Sequence, residues 1–408
     1  MRRHLKAWIS KRRSKREIKT EVDSSPEMPY LPNPRPRVLT PSSSMQDLSL
    51  PLQTCPIFRE LPSEIRRQIL VFAFGDRTVH MDLVREHPTK PEVEDPGCGY
   101  SNHAKYGEPL DKNQPEFWKW KGCVCHRVAP PALRKAWYRD EHTLEPADDE
   151  CCSGQADLCA LWLMHYGTLR ECFVGAMGWL LACRQSYVEG LDVLYRTNTL
   201  HLSSKPLILN LPKLIIPQRI SMVTSLEVVW LIDSKVHSGV SIPQQGDLDE
   251  ILGILDLHFP RLHRLKLAIK LRLYAKIPVQ LDEMINTLDA FVARRVQHLQ
   301  EPITISLASW AFEQLYGEVV RKKQPDTTFW QDYLRYKLWR DLNGKYAFAS
   351  RIKVQEKYGQ IDGITAQNGY WFRLGDDKTR SIITLVIGCF GSGGGMWRDG
   401  RFASAPIE

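Results

Sequence analysis

The feature that most restricts this chain is a succession of short apolar stretches of period two, separated by stretches of helical period. Thr199–Leu202, Leu226–Ile232, Leu262–Leu271 and Ile303–Ala308 read as strands, with alternations such as Leu226/Val228 and Leu265/Leu267/Ile269. Residues 247–258 and 281–297 read as helices between them. Strands returning at intervals of roughly 35–40 residues, with helices between, imply β–α units and a largely parallel sheet. An irregular leucine-rich-repeat-like stack would fit the same spacing, although no fixed repeat consensus is present. The expected fold class is α/β (or α+β), a mixed, largely parallel sheet with flanking helices. Residues 309–342 are expected to be helical, carrying Trp310, Trp330 and Trp339, with an antiparallel pair Tyr370–Leu374 and Ile382–Ile387 closing the sheet.

Charge divides the chain. Residues 1–19 hold nine Lys or Arg against Glu17 and so carry all of the formal +8; the rest has 46 basic and 46 acidic side chains. A balanced body argues against a dedicated duplex-binding face, which needs clustered cations to displace counterions. Residues 20–56 contain eight prolines and little apolar content, a composition that buries too little surface to offset the entropy of ordering. No apolar run approaches the roughly 18–20 residues of a membrane helix, and the charged start is unlike a secretory signal. The expected organisation is a disordered tail over 1–55, a first helix and strand over 56–84, and a Cys/His/Trp-rich insert over 85–177. The α/β body then spans 178–390, and a flexible Gly-rich tail covers 391–408. A soluble protein, nuclear or cytoplasmic, is expected.

The first ordered element is Phe58-Arg59-Glu60-Leu61-Pro62-Ser63-Glu64-Ile65, in which Pro62 suits a first helical turn and Glu64 complements the positive helix start. Ile65, Ile69, Phe72 and Ala73 fall on one helical face and Gly75 is the stop. A strand, Thr78–Val84, follows, and a second helix is expected over Gly178–Tyr195, with Leu180, Tyr187, Leu191 and Leu194 marking its apolar face. Together, Phe58–Leu70 with Gly75–His80, and Leu180–Gly190 with Leu194–Leu200, resemble a filamentous-fungal family of domains of unknown function. Trp118–Arg127 is similar to inserts in those proteins. The resemblance implies an α/β body behind an F-box-like N-terminal helix, and no established activity. An F-box helix lays an apolar face into a groove of the adaptor subunit of cullin–RING ubiquitin ligases. Leu61, Pro62, Ile65, Ile69 and Leu70 match that motif's core, so this adaptor is the implied partner. The sequence departs from the motif at Thr78, where a strand begins instead of further helices. The same apolar face could equally pack on the chain's own sheet, and that internal reading is favoured.

Ten cysteines are too few for a disulfide scaffold, and seven lie between Cys98 and Cys172. Thiolate and imidazole are the ligands of structural zinc, and Cys123, Cys125, His126 and Cys151 (or Cys152) form the candidate set. Reduced thiols in a variable loop are the alternative. In the tail, Lys11, Arg12, Arg13, Lys15 and Arg16, with Arg2-Arg3 upstream, have the two-cluster form of a nuclear localisation signal; a mitochondrial presequence or a solvated arm is also compatible. Phosphate-loop, dinucleotide and zinc-protease motifs are absent, and Gly391-Ser392 lacks the glycine two residues before the serine that a nucleophile elbow needs. With no catalytic set, the chain reads as a non-enzymatic interaction module. The alternatives are an enzyme with its site at strand ends and nucleic-acid contact through the tail.

Overall fold

Alternation along each strand separates the two faces of the sheet. In Ser225–His237, Leu226, Val228, Trp230 and Ile232 are buried on one face, while Ser225, Glu227 and Leu231 occupy the other. The computed structural model describes residues 26–33, 55–88, 111–125, 174–272, 277–323, 336–350 and 369–375. In chain order these form α1 (Pro56–Glu60), α2 (Ser63–Phe74), β1 (Thr78–Glu86), β2 (Phe117–Val124), α3 (Met177–Leu180), α4 (Arg184–Arg196) and β3 (Thr199–Leu202). There follow α5 (Lys205–Leu214), α6 (Pro217–Ile220), β4 (Ser225–His237), β5 (Val240–Pro243), α7 (Gln245–His258), β6 (Arg264–Arg272) and α8 (Asp282–Arg295). The last elements are β7 (Thr304–Leu307), α9 (Ser309–Lys323), β8 (Tyr336–Asp341), β9 (Tyr346–Ser350) and β10 (Gly369–Leu374).

The sheet runs β2-β1-β3-β4-β6-β7-β10-β8-β9, with β5 paired to the far half of β4. Strands β1, β3, β4, β6, β7 and β10 are mutually parallel; β2, β8 and β9 add antiparallel strands at the two ends. The fold is therefore mixed α/β and largely parallel. Because the parallel strands follow chain order without reversal, each β–α unit is laid beside the last. The intervening helices α5, α7, α8 and α9 all enter one core, through Leu211, Leu252, Leu288 and Phe312, against Leu202, Val228, Leu267 and Ile305. Among the described residues, these crossover helices share one face of the sheet.

Several elements differ from the sequence expectation. Pro206 and Pro212 hide α5: one sits in its first turn, where a missing N–H costs nothing, and the other in its last. The expected helix over 178–195 is broken at Leu181–Cys183 into α3 and α4, and Cys183 caps the latter. Of the helix expected over 309–342, the described residues include α9, Ser309–Lys323, and Trp339 lies on β8 instead. Strand β10 pairs with β7 and β8, while residues 382–387 lie outside the described residues. Residues 26–33, within the stretch expected to be disordered, bind the body. Trp118 Nε1 donates to Pro26 O at 2.9 Å, Leu31 N to Lys213 O at 2.8 Å and Tyr30 OH to Asn210 Oδ1 at 3.1 Å.

Helices α2 and α4 run directly into the neighbouring strands β1 and β3, and one side chain holds the two turns together. Asn198 Nδ2 donates to Phe74 O at 2.9 Å, and its Oδ1 accepts the Arg77 N–H at 2.9 Å. Gly75 is required there, since a Cβ would lie 2.6 Å from Thr197 Oγ1 and 2.8 Å from Val71 Cα. At the other end of the sheet, Arg340 meets Asp289 through Nε (2.9 Å) and Nη2 (2.7 Å), and Tyr370 OH donates to the same carboxylate at 2.9 Å, tying β8 and β10 to α8. Asn198→Ala should cost roughly 2–4 kcal/mol, because it leaves a buried carbonyl and amide without their partner. Urea denaturation measures this, and a loss under about 0.5 kcal/mol would show that the turns are held by something else.

Candidate functional site

The periodicity of α2 gives it two separate faces. At 100° per residue, Ile65, Ile69 and Phe72 fall within an arc of about 60°, and Arg66, Leu70 and Phe74 lie on another side, about 130° away. The second set is buried and the first is exposed, at 42%, 49% and 91%. Ala73 is exposed beside them. The result is an apolar ridge facing solvent, on a helix that is otherwise firmly attached.

The attachment is both apolar and ionic. Leu70 and Phe74 pack with Ala176 and Val193 in a small core distinct from that of the sheet. Arg66 reaches Glu189 on α4 through Nε (3.0 Å) and Nη2 (2.7 Å), and lies over the Phe58 ring at 5.2 Å. The Glu189 hydrogen bonds raise the Arg66 guanidinium further above its ordinary value, against the opposing effect of burial. Arg67 Nη1 meets Asp192 at 2.9 Å, and Phe58 packs on Trp179 with ring centroids 5.7 Å apart. The helices that flank α2 are thus α1, α3 and α4, the last two arriving from much later in the chain.

The five motif residues are split by this arrangement. Ile65 and Ile69 are on the ridge, Pro62 is exposed at the helix start, and Leu61 is half-buried with its carbonyl accepting Arg66 Nη1. Leu70, expected among the docking residues, is buried against α4 and is unavailable to a partner. The favoured internal reading of the Ile65/Ile69/Phe72/Ala73 face is also corrected. The helix rests on α4 through its other side, so that face is not packed on the sheet.

Of the candidate metal ligands, Cys123 and Cys125 lie at the end of β2, both buried. His126, Cys151 and the basic residues Lys11–Arg16 lie outside the described residues. A row that sequence reading missed runs across the strands at their level. Register places Cys123 beside His80, His80 beside His201, His201 beside Glu227, and Glu227 beside Lys266. The repeated Thr78-Val79-His80 and Thr199-Leu200-His201 was the available signal, since two strand starts of one pattern put equivalent residues in register. Cys183 caps α4. Burial acts to raise its thiol, but hydrogen bonds from Ser186 and the Gln185 backbone outweigh that and hold it below the usual thiol value.

A cavity of about 330 Å³ lies between α8, α9 and the β8–β9 pair, lined among others by Asp282, Glu318, Arg340 and Tyr346. Its guanidinium is already committed to Asp289, and burial pushes the Tyr346 phenol up. Among the described residues no helix is long and apolar enough to cross a membrane.

Fold and ridge define an α/β protein with a fixed, outward-facing apolar helix beside the starts of its first parallel strands. Residues 51–250 match a family model described as Domain of unknown function (DUF7730). Neither a curated protein nor a solved structure matches the chain.

Because the two faces of α2 carry different loads, substitution should separate them. A double Ile65→Asp, Ile69→Asp variant should unfold within about 1 kcal/mol of the parent, as surface changes do. Leu70→Ala should cost about 2–4 kcal/mol, as a buried leucine does. Equal losses in a denaturant titration would mean that the ridge is covered in solution.

Proposed function

We propose that this chain is a non-enzymatic interaction module that docks a protein partner through the α2 ridge, in the F-box-like manner, with the α/β body as a rigid support. The observation that carries this reading is the outward face of Ile65, Ile69 and Phe72 on a helix fixed by Leu70, Phe74 and the Arg66–Glu189 pair. An anchored helix meets a groove with little conformational entropy left to lose, which favours affinity. Such a ridge suits an apolar groove, read by residues at i, i+4 and i+7. The adaptor subunit of cullin–RING ligases has the groove that the Leu61-Pro62…Ile65…Ile69 pattern matches, and it is the partner proposed. In place of the following helices of an F-box, α3 and α4 pack against α2. The basic tail is proposed to direct nuclear import through Lys11–Arg13 and Lys15-Arg16.

Co-purification of the full chain with the adaptor subunit tests the reading. Binding should weaken at least tenfold in the Ile65→Asp, Ile69→Asp variant while its circular dichroism and denaturation midpoint stay near those of the parent. Undiminished binding by that folded variant, or no binding by the parent, would remove the adaptor assignment.

A further inference from the structure

The cavity between α8, α9 and the β8–β9 pair has a floor and a mouth of different character. Leu281, Ile285, Leu315 and Val319 are buried and give it an apolar floor. Gln280, Asp282, Asn286 and Glu318 are exposed and stand at its mouth. At about 330 Å³ it falls at the small end of ligand cavities, roughly 300–1,000 Å³, and shares their pattern of apolar lining with a few converging polar groups.

Its walls are set before any ligand enters. Gln314 on α9 clasps the Val279 backbone, its Oε1 accepting the N–H at 2.7 Å and its Nε2 donating to the carbonyl at 2.7 Å. One turn earlier, Trp310 Nε1 donates to Ile277 O at 3.0 Å. These bonds fix the segment before α8 onto α9, and a preformed site has little conformational entropy to lose on binding.

The uncommitted charge at the mouth is of one sign. Arg340 is the cation of the wall, and all three of its nitrogens are engaged. Nε and Nη2 donate to Asp289 at 2.9 and 2.7 Å, Nη1 donates to Gly344 O at 3.3 Å, and the guanidinium lies 4.7 Å from the centre of the Tyr346 ring. Among the described residues no Lys or Arg pairs with Asp282 or Glu318, and Glu318 accepts only the Gln314 amide, at 3.2 Å. Asp282 complements the positive start of α8; Glu318, in the second half of α9, has no such role. The Tyr346 phenol registers the same field: burial raises it, Arg340 lowers it, and the charges of Asp289 and Asp282 raise it further. An anion would meet two carboxylates here and no cation left to receive it. A metal ion is not favoured either, since no group of three His, Cys, Asp or Glu side chains suited to one is found among the described residues.

We propose that this cavity binds a small organic cation, an ammonium on an apolar body, with the body on Leu281, Ile285 and Leu315 and the ammonium between Asp282 and Glu318. The Asn286 amide, which has no hydrogen-bond partner among the described residues, supplies a further acceptor at the mouth. The site lies by β8 and β9, toward the opposite end of the sheet from β1 and α2. It goes beyond the docking reading and does not depend on it.

The test uses the full chain and three probes of similar shape: 2-phenylethylamine as the cation, 2-phenylethanol as the neutral form and 3-phenylpropionate as the anion. In calorimetric titration at low salt, the amine should saturate one site per chain and bind about tenfold more tightly than either of the others. Added NaCl should weaken it, because charges at an open mouth are screened. Asp282→Asn and Glu318→Gln should each weaken the amine about two- to fivefold, the worth of one exposed charge pair, and leave the alcohol unaffected. Asn286→Trp keeps every charge, closes the mouth and should abolish binding, whereas Ile65→Asp, Ile69→Asp should leave it intact. The cavity positions changed are all exposed, and unaltered denaturation midpoints establish that the variants are folded. Absence of saturable amine binding by the parent, or equal binding of the alcohol or the propionate, would overturn the site. So would undiminished binding by folded Asn286→Trp and Glu318→Gln variants, or loss of binding in the ridge variant.

Discussion

The rest of the structure depends on one continuous apolar face. Leu200 and Leu202, then Leu226 to Ile232, Leu265 to Leu271, Ile305 and Leu307, and Tyr370 to Leu374 fill alternate positions of strands laid side by side, under helices drawn from each connection. Because the face is covered by its own crossovers, each strand is stable only next to its neighbours, and a one-residue slip in any of them would expose its whole apolar set. The register is therefore fixed from β1 to β10. That fixity allows residues distant in sequence to be placed beside one another on the opposite face with the regularity of a ladder.

Two features use the order so created in different ways. The α2 helix joins the sheet through a tight turn and rests on α4, which frees its Ile65/Ile69/Phe72 side for solvent. Three large apolar residues thus stand exposed together on a helix whose other side is fixed. The His80–His201–Glu227–Lys266 row depends instead on polar groups buried in strands. An uncompensated buried carboxylate would be costly, and Lys266 and His201 beside Glu227 reduce that cost. One feature places apolar surface on the outside and the other places charge on the inside. Each departs from the ordinary partition of residues between core and surface.

The parts legible in sequence were those in which local pattern and final environment agree. The alternation of Leu226/Val228 and Leu265/Leu267/Ile269 is the alternation of the core, so β4 and β6 were found along with α7 and α8. Where the environment overrode the pattern, reading failed. In β2, Trp120 is exposed and Lys121 is buried with its ammonium on Glu86 at 2.7 Å, so composition there signalled no strand. Two prolines concealed α5, which its packing nevertheless keeps helical. Aromatic residues made β8 look like a continuation of α9. On α2 the apolar face was correctly placed but assigned to the wrong surroundings, because periodicity locates a face without saying what covers it. The pairing of His80 with His201 follows only from the parallel register of β1 and β3, which no local window contains.

The matched family region, 51–250, ends inside α7, and the physical unit does not end there. Strand β4 lies in the middle of the sheet, and nine of its residues, Ser225 to Asp233, pair with β6, beyond that boundary. Removing β6 and the elements C-terminal to it would strip the ladder from β4 and expose Leu226, Val228, Trp230 and Ile232 along an open edge, the kind of edge that recruits other strands. Helix α7 would also lose the contacts through which Arg295 on α8 holds Asp256 and the Phe259 carbonyl. The matched region carries α2 with its exposed ridge and both histidines, whereas the strands and helices that keep β4 from becoming an edge lie outside it. The smallest part able to present either feature therefore extends through β6 and α8 at least.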